Sequence, residues 1–359
     1  MKSTRWLASA QPNRRAVLRA LILTAALTVG CSQNAPTLLD QIRDGAATHH
    51  IESGDALVSE NRIDDAIREF EQAIRLNPRL ATAHSKLGKA YRKKGNLADA
   101  AVAFAEALRL DPMDFMTALS LGQVYQMLAD QLPDRFEKLR LAVRAYQQAC
   151  DLRPDDFESH LNLGVCYHQL GELDQAIQNY EAALKIDPQN AFAYTNLGAA
   201  YDSRGKFYDA IRMYKNALEL GNNEPMVLVN LGATYAKQNR FPAAMEAFRK
   251  AIELDPGLSV GHQWIGYCNY KLGRYDEALA AYGRAMERDP KNAEACAGRG
   301  VVYMTMYLKS RKRIELRELA LEHWHRSLEL DSNQPKLRAL LDKYSVGGLR
   351  GTQTATLSP

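Results

Sequence analysis

Glycine recurs along the 359-residue chain at a nearly constant interval, and this repetition restricts the folds that the sequence can adopt. Six of the seven intervals between successive glycines of the series are identical, and the third interval is longer. The common period, about 34 residues, is typical of helical repeat arrays, in which each copy packs against its neighbours. The glycines of the series are Gly54, Gly88, Gly122, Gly164, Gly198, Gly232, Gly266 and Gly300.

Small and aromatic residues follow these glycines at fixed distances. Six of the glycines precede an alanine at one common spacing, as Gly198 precedes Ala210, and the other two share a longer spacing, as between Gly122 and Ala142. An aromatic residue follows each alanine after four positions. Apolar residues also recur at helical spacing in both halves of each copy, which predicts two amphipathic helices joined by a short turn. The aromatic residues, which fill the space around the small ones, are Phe70, Phe104, Tyr146, Tyr180, Tyr214, Phe248, Tyr282 and Trp324.

These positions closely resemble the tetratricopeptide repeat family. The resemblance covers residues 47–334 and implies an all-α fold, a right-handed superhelical solenoid of about eight tetratricopeptide hairpins. Residues 335–345 are predicted to form a C-terminal cap helix, and residues 346–359, rich in Gly, Ser and Thr, are predicted to form a disordered tail. The eight predicted units are residues 47–80, 81–114, 115–156, 157–190, 191–224, 225–258, 259–292 and 293–334.

Residues 1–30 have the layout of an export signal peptide. Basic residues precede an apolar run from Ala16 to Val29, which is interrupted only by Arg19 and two threonines. This run is too short to anchor the chain by spanning a bilayer. The segment from Asn13 to Arg19 resembles a twin-arginine export motif, and a generic basic segment of the general secretory route is the alternative.

Cys31 ends a segment that resembles a bacterial lipobox. The five residues from Leu27 to Cys31 read Leu-Thr-Val-Gly-Cys, with a small residue directly before the cysteine. The resemblance implies that Cys31 is lipidated and becomes the mature N-terminus, so residues 31–46 would form a short tether or a helical lead-in. We therefore expect an exported lipoprotein that is anchored to a membrane of the cell envelope and faces the periplasm.

The formal net charge of +4 depends on the predicted signal peptide. Five of the 46 basic residues lie within the first 19 positions, and their removal leaves 41 basic residues against 42 acidic ones. The mature chain would be nearly neutral and lacks a sustained basic stripe. We therefore expect no nucleic acid among its partners.

In tetratricopeptide arrays the first helix of each unit lines a concave groove that holds peptides or helices, so the resemblance implies proteins or peptides as partners. Asn162, Asn196 and Asn230 share one position in three consecutive units, and a ladder of amides can hydrogen-bond a peptide backbone. Asparagine is also a common consensus residue there, so a structural role is the alternative. The other predicted groove residues, for which packing against neighbouring helices is the alternative, are Met116, Leu161, Phe192, Met226, Val229 and Tyr267.

The third and eighth units each contain eight extra residues between their glycine and their alanine. In helical form these residues would add about 12 Å, so both hairpins would project beyond the edge of the solenoid. The eighth unit carries a basic cluster in this region, which suits anionic lipid headgroups or an acidic partner. A solvated helix face is the alternative. The cluster contains Lys309, Arg311, Lys312, Arg313 and Arg317.

The sequence contains no phosphate-binding glycine loop, no nucleophile elbow and no HExxH zinc motif. We therefore expect a protein that is not an enzyme, with no metal, no cofactor and no small-molecule substrate. Cys166 and Cys268 lie at a small-residue position of the repeat, where a buried thiol acts as a small hydrophobe. In an oxidising compartment a disulfide between Cys150 and Cys166 is the alternative, and pairing of Cys268 with Cys296 stays open.

These observations favour a tetratricopeptide scaffold that holds partner proteins in its concave groove and supports the assembly or regulation of cell-envelope complexes. The alternative is a non-catalytic subunit of a glycosyl-transfer or peptidoglycan-processing enzyme, which regulates that enzyme or presents substrate peptide along the asparagine ladder. Both hypotheses rest on the architecture and the export signal.

Overall fold

The computed structural model describes residues 37–131, 134–310 and 313–345, and every regular element within them is an α-helix. These residues form seventeen helices, which pack as successive pairs. They divide into two compact units, with the boundary between Pro112 and Met113. The predicted signal peptide, Cys31 and the predicted tail from residue 346 lie outside the described residues. The all-α fold and its organisation in helix hairpins are confirmed.

The first unit contains two helix pairs. Its helices are α1 (Leu38–Ser59), α2 (Ile63–Leu76), α3 (Ala81–Lys94) and α4 (Leu97–Leu110). α1 packs on α2 and α3 packs on α4, and α2 joins the two pairs by packing on α3. Each helix therefore contacts its neighbours along the chain, as the repeat pattern predicts.

α1 begins nine residues before residue 47, where the repeat pattern placed the start of the first unit. The Thr37 side chain accepts a hydrogen bond from the backbone N–H of Asp40, and the Asp40 carboxylate accepts one from the backbone N–H of Thr37. This reciprocal arrangement is a capping box, which stabilises the first turn of a helix. Residues 38–46 are therefore helical, as in the helical lead-in, one of the two alternatives that the sequence left open there.

The second unit contains six helix pairs and one terminal helix. Its first pair is α5 (Phe115–Gln131) with α6 (Arg135–Leu152), and its last pair is α15 (Ala293–Ser310) with α16 (Ile314–Leu330). The terminal helix α17 (Pro335–Tyr344) packs on α16. The helices between these pairs are α7 (Phe157–Leu170), α8 (Leu173–Ile186), α9 (Ala191–Ser203), α10 (Phe207–Glu219), α11 (Pro225–Lys237), α12 (Phe241–Leu254), α13 (Ser259–Lys271) and α14 (Tyr275–Arg288).

Tight turns reverse the chain between the two helices of a pair. α3 and α7 end at Gly95 and Gly171, whose φ angles of 86° and 78° lie in the left-handed region. The N–H of Gly95 donates to the carbonyl of Arg92 at 3.0 Å, and the next N–H donates to the carbonyl of Tyr91 at 2.9 Å. These bonds satisfy carbonyls at the helix end, and glycine adopts this conformation without a Cβ penalty.

The core of each hairpin is built where the repeated glycine meets the repeated aromatic side chain. A Cβ atom placed on Gly198 would lie 2.8 Å from Cε1 of Tyr214, and one placed on Gly232 would lie 2.6 Å from Cε1 of Phe248. No larger residue fits at these positions unless the ring moves. All eight repeated aromatic residues are at most 4% exposed, so the predicted core positions are confirmed.

The two long hairpins use their extra residues to lengthen both helices. α5, α6, α15 and α16 contain 17 or 18 residues, whereas α7 to α14 contain 13 or 14. Each long helix is therefore about one turn longer than its counterparts.

Candidate functional site

Side chains bridge the first helices of successive repeats in the second unit, and we call the surface that carries them the first-helix face. Each bridge joins residues 32 to 35 positions apart, which is about one repeat length. These bridges connect α5, α7, α9 and α11 into one surface and join α13 to α15. The bridges are Gln123 Nε2 to Glu158 Oε1 at 2.7 Å, His168 Nε2 to Ser203 Oγ at 3.2 Å, Thr234 Oγ1 to Asp202 Oδ1 at 2.9 Å, and the Tyr270 and Thr305 hydroxyls at 3.4 Å.

Three of the predicted groove residues are large apolar side chains that remain exposed. Met116, Phe192 and Met226 are 48%, 55% and 46% exposed, and each is the second residue of its predicted unit. Phe192 and Met226 belong to adjacent repeats, so equivalent points of α9 and α11 present apolar surface. Leu161 and Tyr267 are half-buried. Exposed aromatic and Met side chains at regular intervals suit a surface that packs against another chain.

Val229 was predicted to line the groove, but the structure places it in the core. Its side chain is only 3% exposed and belongs to the buried residues of α11. The alternative interpretation, packing against adjacent helices, is therefore correct at this position. A ligand on the first-helix face does not contact Val229.

The asparagines of the predicted ladder are half-buried on three consecutive first helices. The Nδ2 atom of Asn196 is buried and has no hydrogen-bond partner among the described residues. Asn196 therefore does not offer its donor to a ligand in this conformation. Peptide binding by Asn162 and Asn230 stays a prediction. Trp264 occupies the same position in the next repeat, where its ring stacks on Phe248 with centroids 5.8 Å apart, so the amide series ends there.

The described residues of the predicted basic cluster in the eighth unit do not all lie on an exposed surface. Lys309 and Arg313 are exposed, and the Lys309 ammonium lies 4.6 Å from the centre of the Tyr275 ring. Arg311 and Lys312 lie outside the described residues. Arg317 is only 8% exposed and donates two hydrogen bonds, at 2.8 and 3.1 Å, to the carbonyl of Tyr344. Arg317 therefore fastens α17 to α16 and does not contribute to an exposed cluster.

The cysteines of the described residues are free thiols, so the alternative of a Cys150–Cys166 disulfide is not realised. Cys166 and Cys268 are fully buried on first helices, at the small-residue position that the sequence indicated. Burial raises the pKa of both thiols to about 12, because the charged thiolate is poorly solvated in the core. Both residues act as small apolar core residues.

We expect Cys166 and Cys268 to resist alkylation in the native protein. Only the thiolate reacts, and a pKa raised to about 12 leaves almost none of it near neutral pH. Native protein treated with iodoacetamide at about pH 8 should retain both thiols, whereas urea-unfolded protein should lose both, as measured by peptide mass. The reaction should accelerate as the pH rises towards the raised pKa. Rapid alkylation of native Cys166 near pH 8 would contradict its burial.

Within the described ranges, no helix combines the length and the apolar character needed to cross a membrane. Nowhere in residues 37–131, 134–310 and 313–345 do three or more His, Cys, Asp or Glu side chains converge on a point that could hold a metal ion.

Protein-family models match most of the repeat region. A model described as "TPR repeat" matches residues 54–95, 137–171, 166–202 and 266–306, and two models described as "Tetratricopeptide repeat" match residues 191–222, 225–258 and 81–114. Together these ranges span more than half of the chain. Comparison with curated protein sequences gave no significant match.

Solved structures with similar folds were also found. A tetratricopeptide repeat protein from Parabacteroides merdae is 17% identical, with a TM-score of 0.58 over 74% of this chain and 98% of that chain. The C-terminal part of a TPR repeat-containing protein from Cytophaga hutchinsonii is 20% identical, with a TM-score of 0.54 over 70% and 97%. A MamA protein is 28% identical, with a TM-score of 0.45 over 50% and 93%. The first two similarities independently support the all-α repeat architecture.

Proposed function

Because the chain belongs to the tetratricopeptide repeat family, we propose that it is a non-catalytic scaffold that holds partner proteins on its first-helix face. We further propose that these partners belong to the cell envelope and that the scaffold supports the assembly or regulation of their complexes. The first statement is supported by the repeats and by the exposed apolar side chains on their first helices. The second rests on the resemblance of residues 1–31 to a lipoprotein signal.

The exposure of Phe192 and Met226 is the observation that carries the scaffold proposal. Burial of apolar surface contributes about 25 cal/mol for each Å² removed from water, so a partner that covers both side chains gains binding energy. The aromatic ring supplies a rigid anchor, and the unbranched thioether adapts to the shape of the partner. An extended segment or an amphipathic helix is the expected bound form.

Charge introduced at these two positions is expected to abolish partner capture. Phe192→Glu with Met226→Glu should weaken binding about 30-fold or more, since loss of hot-spot contacts costs about 2 kcal/mol or more. Cross-linking in intact cells followed by mass spectrometry identifies the partner and the repeats that contact it. Purified wild-type and variant proteins are then compared for capture of that partner.

A matched control places the same two charges on second helices. Tyr208→Glu with Leu254→Glu changes two exposed apolar residues of α10 and α12, which are 80% and 52% exposed, and should leave capture unchanged. Circular dichroism should show the same helicity for both double variants. Equal capture by the Phe192/Met226 variant and the wild type would rule out the first-helix face as the binding surface.

We propose that Cys31 carries the lipid anchor, because it ends the lipobox-like segment. Acyl chains hold a protein at a membrane because each buried CH₂ contributes about 0.8 kcal/mol. Cys31→Ser should yield an unacylated protein that is released into the soluble fraction, as measured by intact mass and cell fractionation. Cys150→Ser removes another thiol as a control and should leave the protein on the membrane. A wild-type protein without acyl mass would overturn this proposal.

The alternative of a substrate-presenting enzyme subunit depends on the asparagine ladder. Burial of the Asn196 donor weakens that hypothesis, because a backbone ladder needs donors and acceptors that reach the ligand. The exposed apolar residues favour the scaffold instead.

A further inference from the structure

α3 in the first unit has an unusual charge distribution. Its sequence contains five cationic side chains and no acidic one. Basic residues recur in this helix at spacings of three and four. The cationic residues are Lys86, Lys89, Arg92, Lys93 and Lys94.

Four of these cations surround a cleft of about 430 Å³ between α3 and α1, which we call the basic cleft. Asp55 of α1 is its acidic residue, and the Lys86 ammonium donates to both Asp55 carboxylate oxygens at 2.7 and 2.8 Å. Val58, Phe70 and Ala90 supply apolar lining. The basic cleft is lined by Asp55, Val58, Phe70, Lys86, Lys89, Ala90, Arg92 and Lys93.

The positive charge of the basic cleft exceeds what its acidic residue balances. Four cations and one carboxylate give the lining a formal charge of +3. Lys89 is exposed and forms no ion pair with any described residue, and Lys93 donates only to the carbonyl of Val58, at 3.2 Å. A recess with this excess of positive charge attracts anions from solution.

Another side of α3 borders a cleft whose acidic residues come from α2 and α4. A second cleft of about 530 Å³ contains Glu71, Asp99 and Glu106, together with Arg75 and His84. There the Tyr91 hydroxyl donates to Glu71 at 3.2 Å, and burial together with the Glu71 charge raises the pKa of Tyr91. The cations of α3 are therefore concentrated on one side of the helix, where their field directs an acidic ligand into the basic cleft.

The shape and lining of the basic cleft favour a polypeptide over other anions. Lys86, Lys89 and Lys93 follow one helix face at steps of about 4.5–6 Å, close to the about 6.6 Å between alternate side chains of an extended peptide. Single-stranded nucleic acid needs exposed aromatic rings on which bases stack, but Phe70 in this cleft is only 1% exposed. A flat membrane surface meets protruding cations, whereas these cations surround a recess.

We propose that the basic cleft binds an acidic, extended segment of a partner polypeptide, whose carboxylates pair with Lys89 and Lys93. The proposal rests on the scaffold function and adds the chemistry of one partner segment. Apolar parts of that segment contact Val58, which is half-buried. The first unit therefore selects for charge, whereas the first-helix face of the second unit selects for apolar side chains.

The test measures binding of a fluorescein-labelled peptide of alternating Glu and Ser to the purified full-length protein by fluorescence anisotropy. Wild-type protein should bind this peptide and should not bind the matched peptide of alternating Gln and Ser. Lys89→Glu with Lys93→Glu should weaken binding about tenfold or more, since like charges then face the ligand. Added salt should weaken wild-type binding, because exposed charges are screened.

Matched variants distinguish an effect of the basic cleft on peptide binding from effects of net charge and of misfolding. Arg68→Glu with Arg79→Glu reverses two exposed cations of the same unit outside the cleft and should bind the Glu/Ser peptide like the wild type. Lys89→Gln with Lys93→Gln removes the charges without reversing them and should also lose binding. Circular dichroism should show native helicity for every variant.

Three results would overturn the proposal. One is unchanged affinity for the Glu/Ser peptide in both Lys89/Lys93 variants. Another is failure of the peptide to bind while phosphatidylglycerol vesicles or oligo-dT bind through Lys89 and Lys93. The third is loss of peptide binding in the Phe192→Glu/Met226→Glu variant alone, which would place the acidic segment on the second unit. Capture of the cellular partner by Phe192/Met226 variants tests the scaffold function separately, so either proposal can fail without the other.

Discussion

Replacement of Phe248 by alanine is expected to lower the free energy of unfolding by about 3–5 kcal/mol, the range for buried large aromatic residues. Phe248 is fully buried in α12, where its ring contacts Gly232 and stacks on Trp264. Truncation would remove contacts on both sides of the ring and leave a cavity between two successive repeats. Urea unfolding, followed by circular dichroism at 222 nm, measures this loss of free energy as a shift of the unfolding midpoint to lower urea concentration.

Tyr208→Ala provides the control for the Phe248 variant. Tyr208 is also an aromatic residue of a second helix, but it is 80% exposed. Its truncation should change stability by less than about 0.5 kcal/mol. Similar destabilisation by the two variants would show that the ring of Phe248 is not a core element.

Replacement of Gly232 by alanine should lower the stability of the protein by up to about 2 kcal/mol, because overpacking a core costs about 1–3 kcal/mol and the gain in helix propensity offsets part of that cost. The new Cβ atom would lie 2.6 Å from Cε1 and 2.8 Å from Cζ of Phe248, so the buried ring must move. This cost exceeds the gain in helix propensity on changing glycine to alanine, about 1 kcal/mol. The same urea unfolding experiment measures the difference.

Gly283→Ala makes the same chemical change at a helix position with open space around it. We expect it to increase the stability of the protein, opposite to the effect of Gly232→Ala. The nearest atom to a Cβ there is an Arg299 guanidinium nitrogen at 3.9 Å, so helix propensity should dominate and stabilise the protein by about 0.5–1 kcal/mol. The double variant Gly232→Ala with Phe248→Ala should lose less free energy of unfolding than the sum of the losses in its single variants. Without the Phe248 ring, the new Cβ atom at position 232 has nothing to collide with. Additive losses would contradict the proposed contact.

The helix pairs were predictable from sequence because their determinants are local and repeated. A glycine at position 198 predicts a ring at position 214, and the structure brings these two residues together. Each repeat supplies an independent copy of this relationship, so variation at one position does not hide the pattern. The start of α1 before residue 47 could also have been predicted, because Thr37 and Asp40 have the spacing of a capping box.

The exposure of individual predicted surface residues was harder to predict, because exposure depends on contacts between helices. Val229 and Phe192 both occupy first helices at predicted groove positions, yet Val229 is 3% exposed and Phe192 is 55% exposed. Arg317 lies in a basic stretch, but its guanidinium donates a hydrogen bond to the carbonyl of Tyr344, 27 residues away at the end of α17. Helical periodicity gives the direction of a side chain, whereas burial depends on what the next helix places against it.

The bridges between first helices join residues no more than 35 positions apart. Contacts this close in sequence require the closure of short loops only, which favours rapid folding and a low conformational search cost. A repeat can therefore form these contacts once the following repeat has been synthesised, without waiting for the distant end of the chain. Insertion or deletion of a whole repeat would change the reach of the first-helix face while preserving the bonds inside every remaining hairpin.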